Sequence, residues 1–124
     1  MHEIRLKRVY ETAAESDGFR ILIDRLWPRG IKKTDLSFSI WAKSITPSPE
    51  ARTDFAHKPE RMAEFRERYL HELNQNPESP AFLETVQNEL KEQNVTLLYA
   101  AKDPAINHAV ILQEWLENKR MQKS

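Results

Sequence analysis

Two apolar runs dominate the hydrophobic pattern of the chain, and both read as buried strands. Phe19-Arg-Ile-Leu-Ile-Asp24 and Val95-Thr-Leu-Leu-Tyr-Ala-Ala101 are compact and apolar, the first rich in β-branched residues, as central strands of a parallel sheet are. A third strand is expected over residues 4–10, where Ile-Arg-Leu-Lys-Arg-Val-Tyr begins by alternating apolar and basic positions. Residues 11–18 are polar and end in Asp17-Gly18, a turn signal. Spacing alone leaves this first connection open between a hairpin and a crossover without a helix. The chain breaks after the Phe19–Asp24 run at Trp27-Pro28-Arg29-Gly30, since Pro28 lacks a ladder donor and Gly30 permits positive φ.

Helical periodicity fills the middle. Residues 35–44 predict a short helix presenting Leu36, Ile40 and Trp41, with Asp35 as its cap. Ser48-Pro49-Glu50 is a helix start, a Ser cap followed by Pro at the first position, and that helix runs to about Ala56. It restarts near Pro59, with Met62, Phe65, Tyr69 and Leu73 forming one apolar stripe and Glu64 and Arg68 free to pair outside it. Ser79-Pro80 opens a helix carrying Phe82, Leu83, Val86 and Leu90. Asp103-Pro104 is expected to cap a final helix with Ile106, Ala109, Val110, Leu112 and Leu116 inward. Long helical connections between apolar strands imply the α/β class: a small, mostly parallel sheet with helices packed on its faces, in a three-layer-like arrangement. One domain is expected over residues 1–118, with a basic, flexible tail over 119–124.

Composition narrows the function classes. A chain of 124 residues buries enough surface to fold without staples, and the absence of cysteine excludes disulfides, thiolate catalysis and Cys-ligated metals. No apolar run approaches the ~20 residues of a membrane span, and residues 1–5 show no apolar leader, so a cytoplasmic location is the default expectation. Lys+Arg and Asp+Glu balance at 19 each, which argues against a generic polyanion binder. The balance conceals an asymmetry: residues 1–33 hold eight basic and five acidic side chains, and residues 48–92 hold six basic and ten acidic.

The candidate chemistry lies just after the two buried strands, in Asp24 to Lys33 and in Ala101 to His108. In open α/β sheets ligands settle in the crevice outside the carboxyl ends of the strands. Arg25, Arg29 and Lys102 arriving there suit a phosphate or carboxylate, with Arg8 and Lys33 as further basic contributors. Asp24 is either an ion-pair partner holding the strand ends or a catalytic acid or base. His108, expected about one turn into the last helix, either moves a proton or packs against backbone. Asp103 is first a cap, and with Asn107 it also faces the ligand. Trp27 and Trp41 are candidate aromatic walls; Trp41 also reads as core, and Trp27 as packing or stacking in equal measure. His57 reads as a turn residue. The four histidines lack zinc-site spacing, and nothing implies a metal or a cofactor.

These residues also carry a resemblance. The segments Ile4 to Tyr10, Gly18-Phe-Arg-Ile-Leu-Ile-Asp-Arg-Leu-Trp-Pro-Arg-Gly30, Trp41-Ala-Lys43 with Thr46-Pro47-Ser48, Phe55-Ala-His57, and Thr96 to Asp103 with Asn107-His108 resemble the YeaO-like branch of the family called domain of unknown function 488. The resemblance covers nearly the whole chain and implies a compact α/β fold without implying an activity. Longer relatives have cysteines where Tyr99 and Asn107 stand and an arginine where Ala109 stands, so their thiol chemistry does not carry over. The leading expectation is a basic and aromatic pocket for a small anionic ligand, with Asp24 and His108 placed for acid–base work. The alternative is a nucleic-acid or protein-binding module built on the basic N-terminal segment.

Overall fold

A computed structural model describes residues 2–122. Strands β1 (Ile4–Arg8), β2 (Phe19–Leu22), β3 (Ile40–Trp41) and β4 (Val95–Tyr99) form one sheet in the order β1-β4-β2-β3, every pair parallel. β4 is central and buried along its whole length, which accounts for its largely apolar composition. Because β4 lies between β1 and β2, the first connection is a crossover and not a hairpin. It contains only a 3₁₀ turn at Glu15–Asp17. Gly18 closes that turn at φ +68°, and a methyl group there would stand 2.1 Å from the Asn94 carbonyl oxygen.

Four helices follow: α1 (Pro49–Phe55), α2 (Met62–Gln75), α3 (Ser79–Leu90) and α4 (His108–Gln122). All contribute to the larger core, where Ile21, Ile23, Val95 and Leu97 of one sheet face meet Phe55, Phe65, Tyr69, Phe82, Val86 and Leu112. Ser48 caps α1 through its side chain, as its sequence position implies. The opposite face, carrying Leu22 and Leu98, is covered by the connection between β2 and β3, with Leu36 buried and Trp27, Ile31 and Trp41 packed beside it. The third layer is therefore an extended loop. On the helix surface Arg68 contacts Asp54 and Glu72, one turn on, in place of Glu64.

Three local expectations are corrected. Residues 35–44 form no helix: Ser39 N–H donates to Arg20 O, Ile40 pairs with Ile21, and Trp41 pairs with Leu22, so this stretch becomes the edge strand β3 and a 3₁₀ turn at Lys43–Ile45. Sheet pairing outcompetes a weak helical spacing there. The final helix starts at His108, four residues beyond Pro104, and its cap is Asn107, whose Oδ1 accepts from Val110 N–H at 3.0 Å. His108 is thus the first residue of α4. Residues 119–122 form the last turn of α4, anchored by Arg120 Nη2 donating to His2 O at 2.8 Å. Residues 123 and 124 of the expected tail lie outside the described residues.

Candidate functional site

All strands being parallel, their carboxyl ends share one edge, and a cavity of about 710 Å³ opens there. Every strand end contributes: Tyr10 after β1, Asp24 to Arg29 after β2, Thr46 and Pro47 after β3, and Ala100 to Asp103 with Ile106 to His108 after β4. Arg52, Phe55 and His57 from α1 and its end, with Phe65 of α2, complete the wall. The two segments singled out in the sequence do converge.

Asp24 ties the strand ends together. Its Oδ2 accepts from Ala100 N–H at 2.9 Å, and its carbonyl accepts from the Trp41 indole N–H at 2.7 Å. Oδ1 is shut away from solvent and makes no hydrogen bond, with His108 Nε2 3.2 Å away. His108 Nε2 also stands 2.8 Å from Ile23 O. Since a carbonyl only accepts, Nε2 carries the hydrogen and donates it. Among the described residues Asp24 forms no ion pair with a lysine or arginine; its ionisable neighbour is His108.

The flanking loops are fixed by their own polar groups. Trp27 donates its indole N–H to Ile31 O at 2.7 Å, closing the turn that holds Pro28 and Gly30, whose φ is +78°. Its ring meets Trp41 edge-on at 5.6 Å and Phe38 at 6.0 Å. Asp103 Oδ1 accepts from Ala105 and Ile106 N–H, and Asn107 Nδ2 donates to Asp103 O, so the segment between β4 and α4 is internally bonded. Asn107 is buried by this role.

The predicted site residues divide. Asp24, Arg25, Trp27, Arg29, Lys102, Asp103, Asn107 and His108 line the cavity. Arg8 does not: its guanidinium donates to Ala100 O and Ala101 O from behind that loop. Lys33 is exposed away from it, and Trp41 stands behind Trp27 with Lys43 Nζ 4.2 Å over its ring. Sequence reasoning missed Tyr10, Leu26, Arg52, Phe55 and Phe65; His57 stands in a turn, as the sequence implied, but was not expected on the wall. His57 lines the cavity, and with Ala56 it adopts positive φ (56° and 48°) at the end of α1. The Thr46-Pro47 and Phe55-Ala-His57 motifs marked these wall segments; for Arg52 no sequence signal stood out.

One feature sets the cavity apart. The chain has ten arginines, and seven of them (5, 8, 20, 61, 66, 68 and 120) bond carboxylates or carbonyl oxygens. The remaining three, Arg25, Arg29 and Arg52, all line the cavity, and among the described residues their side chains make no hydrogen bond or ion pair. The Lys102 ammonium is equally free. Among the described residues no group of acidic or histidine side chains is arranged to hold a metal ion. Among the described residues no helix is long and apolar enough to cross a membrane.

Comparison with known proteins identifies the family. The chain is 50% identical over 115 residues to the uncharacterized protein YeaO of Escherichia coli K12, covering 93% of this chain and 97% of that one. It is 38% identical over 116 residues to the uncharacterized protein Rv3073c of Mycobacterium tuberculosis H37Rv, covering 94% and 95%. No solved structure matches it. A family profile described as the inactive DUF488-N3 subclade matches residues 3–124, and the chain belongs to that family.

Proposed function

We propose that this protein is a binding module for a small anionic ligand, held in the cavity at the strand ends, and that it does not turn the ligand over. The observation that carries this is the segregation of partners among the arginines: those outside the cavity are engaged, and the three on its wall are not. Unpaired guanidiniums gathered from two separate elements repel one another, and an anion bridging them by bidentate contacts relieves that repulsion. Lys102 adds a fourth charge from a third stretch of chain.

The groups expected to catalyse are already engaged. Asp24 Oδ2 closes the sheet end against Ala100, and His108 spends its only N–H, when neutral, on Ile23. A binding role without chemistry accords with the word inactive in the subclade's description. The nucleic-acid reading loses its footing for a related reason. Lys7 and Arg20 are both tied to Asp17, and Arg8 is spent on backbone, so the basic N-terminal segment presents no continuous free stripe.

A thermal-shift series with inorganic phosphate, phenyl phosphate and benzoate at constant ionic strength tests the reading. Saturable stabilisation is expected from at least one of these anions, abolished in Arg29→Ala and in Arg25→Ala. Indifference to all three, or an unchanged response in both variants, would overturn it. Oligonucleotide binding at low salt that survives both substitutions would favour the nucleic-acid module instead.

A further inference from the structure

We propose that the natural occupant of the cavity is an amphipathic organic dianion, a phosphate monoester or dicarboxylate head carried on a flat or bulky apolar body. This rests on the anion-binding reading above and narrows it to a ligand class.

Charge sets the head. The wall carries four fixed cations (Arg25, Arg29, Arg52 and Lys102) and two carboxylates (Asp24 and Asp103), and four minus two leaves a surplus of two positive charges. A doubly charged head neutralises that surplus, and a single carboxylate leaves half of it uncompensated in a partly enclosed space.

Volume and surface set the body. A bare oxyanion fills little more than the space of a few waters at roughly 30 Å³ each, whereas this cavity holds about 710 Å³. That is the size of sites for organic ligands, roughly 300–1,000 Å³. Four large apolar side chains among the described residues are exposed, and two of them, Leu26 at 68% and Tyr10 at 47%, stand on this wall. Phe55, Phe65 and Ile106 continue it. Apolar surface held open beside free cations matches a ligand that brings both kinds of surface at once.

Isothermal titration at fixed ionic strength with four probes separates charge from body: inorganic phosphate, benzoate, phenyl phosphate and isophthalate. At least one aryl dianion is expected to bind about tenfold or more tightly than both inorganic phosphate and benzoate. Whichever of phenyl phosphate and isophthalate binds tighter identifies the head. Leu26→Ser, at a solvent-facing position that leaves the fold intact, is expected to weaken the better aryl dianion about threefold and to leave inorganic phosphate unchanged. Inorganic phosphate within twofold of both aryl dianions, or benzoate matching them, overturns the proposal while the anion-binding reading stands. Failure of all four probes takes both down.

Discussion

His108 turns a single ring nitrogen, Nε2, onto the backbone oxygen of Ile23 at 2.8 Å and onto Asp24 Oδ1 at 3.2 Å. Ile23 O can only accept, so the neutral imidazole is fixed as the Nε2–H tautomer and Nδ1 is left as its acceptor. Long-range ¹H–¹⁵N correlation at neutral pH should show that tautomer at His108, and a neutral Nδ1–H ring would contradict the contact. His108→Ala leaves Ile23 O without its donor and takes from the enclosed Asp24 Oδ1 its nearest polar neighbour. A loss of about 2 kcal/mol in a urea titration is expected.

The arginines of the cavity predict the opposite signature. The side chains of Arg25, Arg29 and Arg52 make no hydrogen bond or ion pair among the described residues, and each is exposed. Replacing Arg52 or Arg29 by alanine should leave chemical stability within about 0.5 kcal/mol of the parent protein. Loss of ligand response with unchanged stability marks a binding residue. A drop of several kcal/mol would mean that these side chains hold the loops.

What the sequence made legible was the long-range arrangement, and what it hid was local. β2 and β4 are mostly apolar because both their faces are covered, with only Arg20 and Thr96 polar, so their position in the sheet and the convergence of the segments after them followed from composition. Leu36, Ile40 and Trp41 have helical spacing, yet Arg20 takes Ser37 O and pairs with Ser39, contacts that depend on a partner 17 or more residues away. Asp103 and Asn107 are both good caps; only the geometry of the turn between them assigns the helix start to Asn107. Arg8 is basic beside other basic residues, and nothing in the chain distinguishes a guanidinium aimed at two carbonyls from one aimed at a ligand. Arg52 reaches the cavity only because α1 is folded over the strand ends.

The sheet's loop-covered face contains an ion cluster that gives stability an acid limit. Asp17, 1% exposed, pairs with Lys7 at 2.8 Å and with Arg20, and accepts from Ala14 N–H. Burial pushes its carboxyl upward, but hydrogen bonds from Lys7, Ala14 and Arg20 outweigh it and hold the pKa below the ordinary aspartate value of 3.8. A depressed folded pKa means that the stabilising contribution is complete above the unfolded value and disappears as pH falls through the folded one. Stability of the parent protein should therefore fall as pH drops below about 4, and Asp17→Asn should flatten that fall. The same substitution leaves Lys7 and Arg20 facing a neutral amide, and a loss of about 3 kcal/mol at pH 7 is expected. An acid limb as steep as the parent's in Asp17→Asn would assign it to other carboxylates.

Gly18 is a backbone requirement of the first crossover. Its φ of +68° disfavours any other residue, and an added Cβ would meet Asn94 O at 2.1 Å, the same oxygen that accepts from Phe19 N–H at 2.8 Å. Relief would need β2 to part from the turn before β4. Gly18→Ala should cost about 3 kcal/mol or more, measured as a lowered denaturation midpoint. Gly30→Ala, also at positive φ but with no atom within 4 Å of an added Cβ, should cost only about 1 kcal/mol. Equal losses would mean that φ alone, and not the approach to Asn94, sets the requirement.

A strap of four contacts couples the two loops that bound the cavity. Tyr10 donates its hydroxyl to Arg29 O at 3.0 Å, the Arg8 guanidinium lies 4.8 Å from the Tyr10 ring centre, and Arg8 donates to Ala100 O and Ala101 O. Tyr10→Phe keeps the ring against Arg8 and removes only the tie to Arg29, so stability should fall by about 1 kcal/mol or less. Hydrogen exchange should then quicken over residues 25–31 and stay unchanged over 100–107. Arg8→Ala withdraws the support from both sides: Ala100 O and Ala101 O lose their donors and Tyr10 loses its cation. Exchange should quicken in both loops, with a stability loss of about 2 kcal/mol. The two variants thus separate the links of the strap, and quickened exchange at 100–107 in Tyr10→Phe would show that the coupling runs by another route.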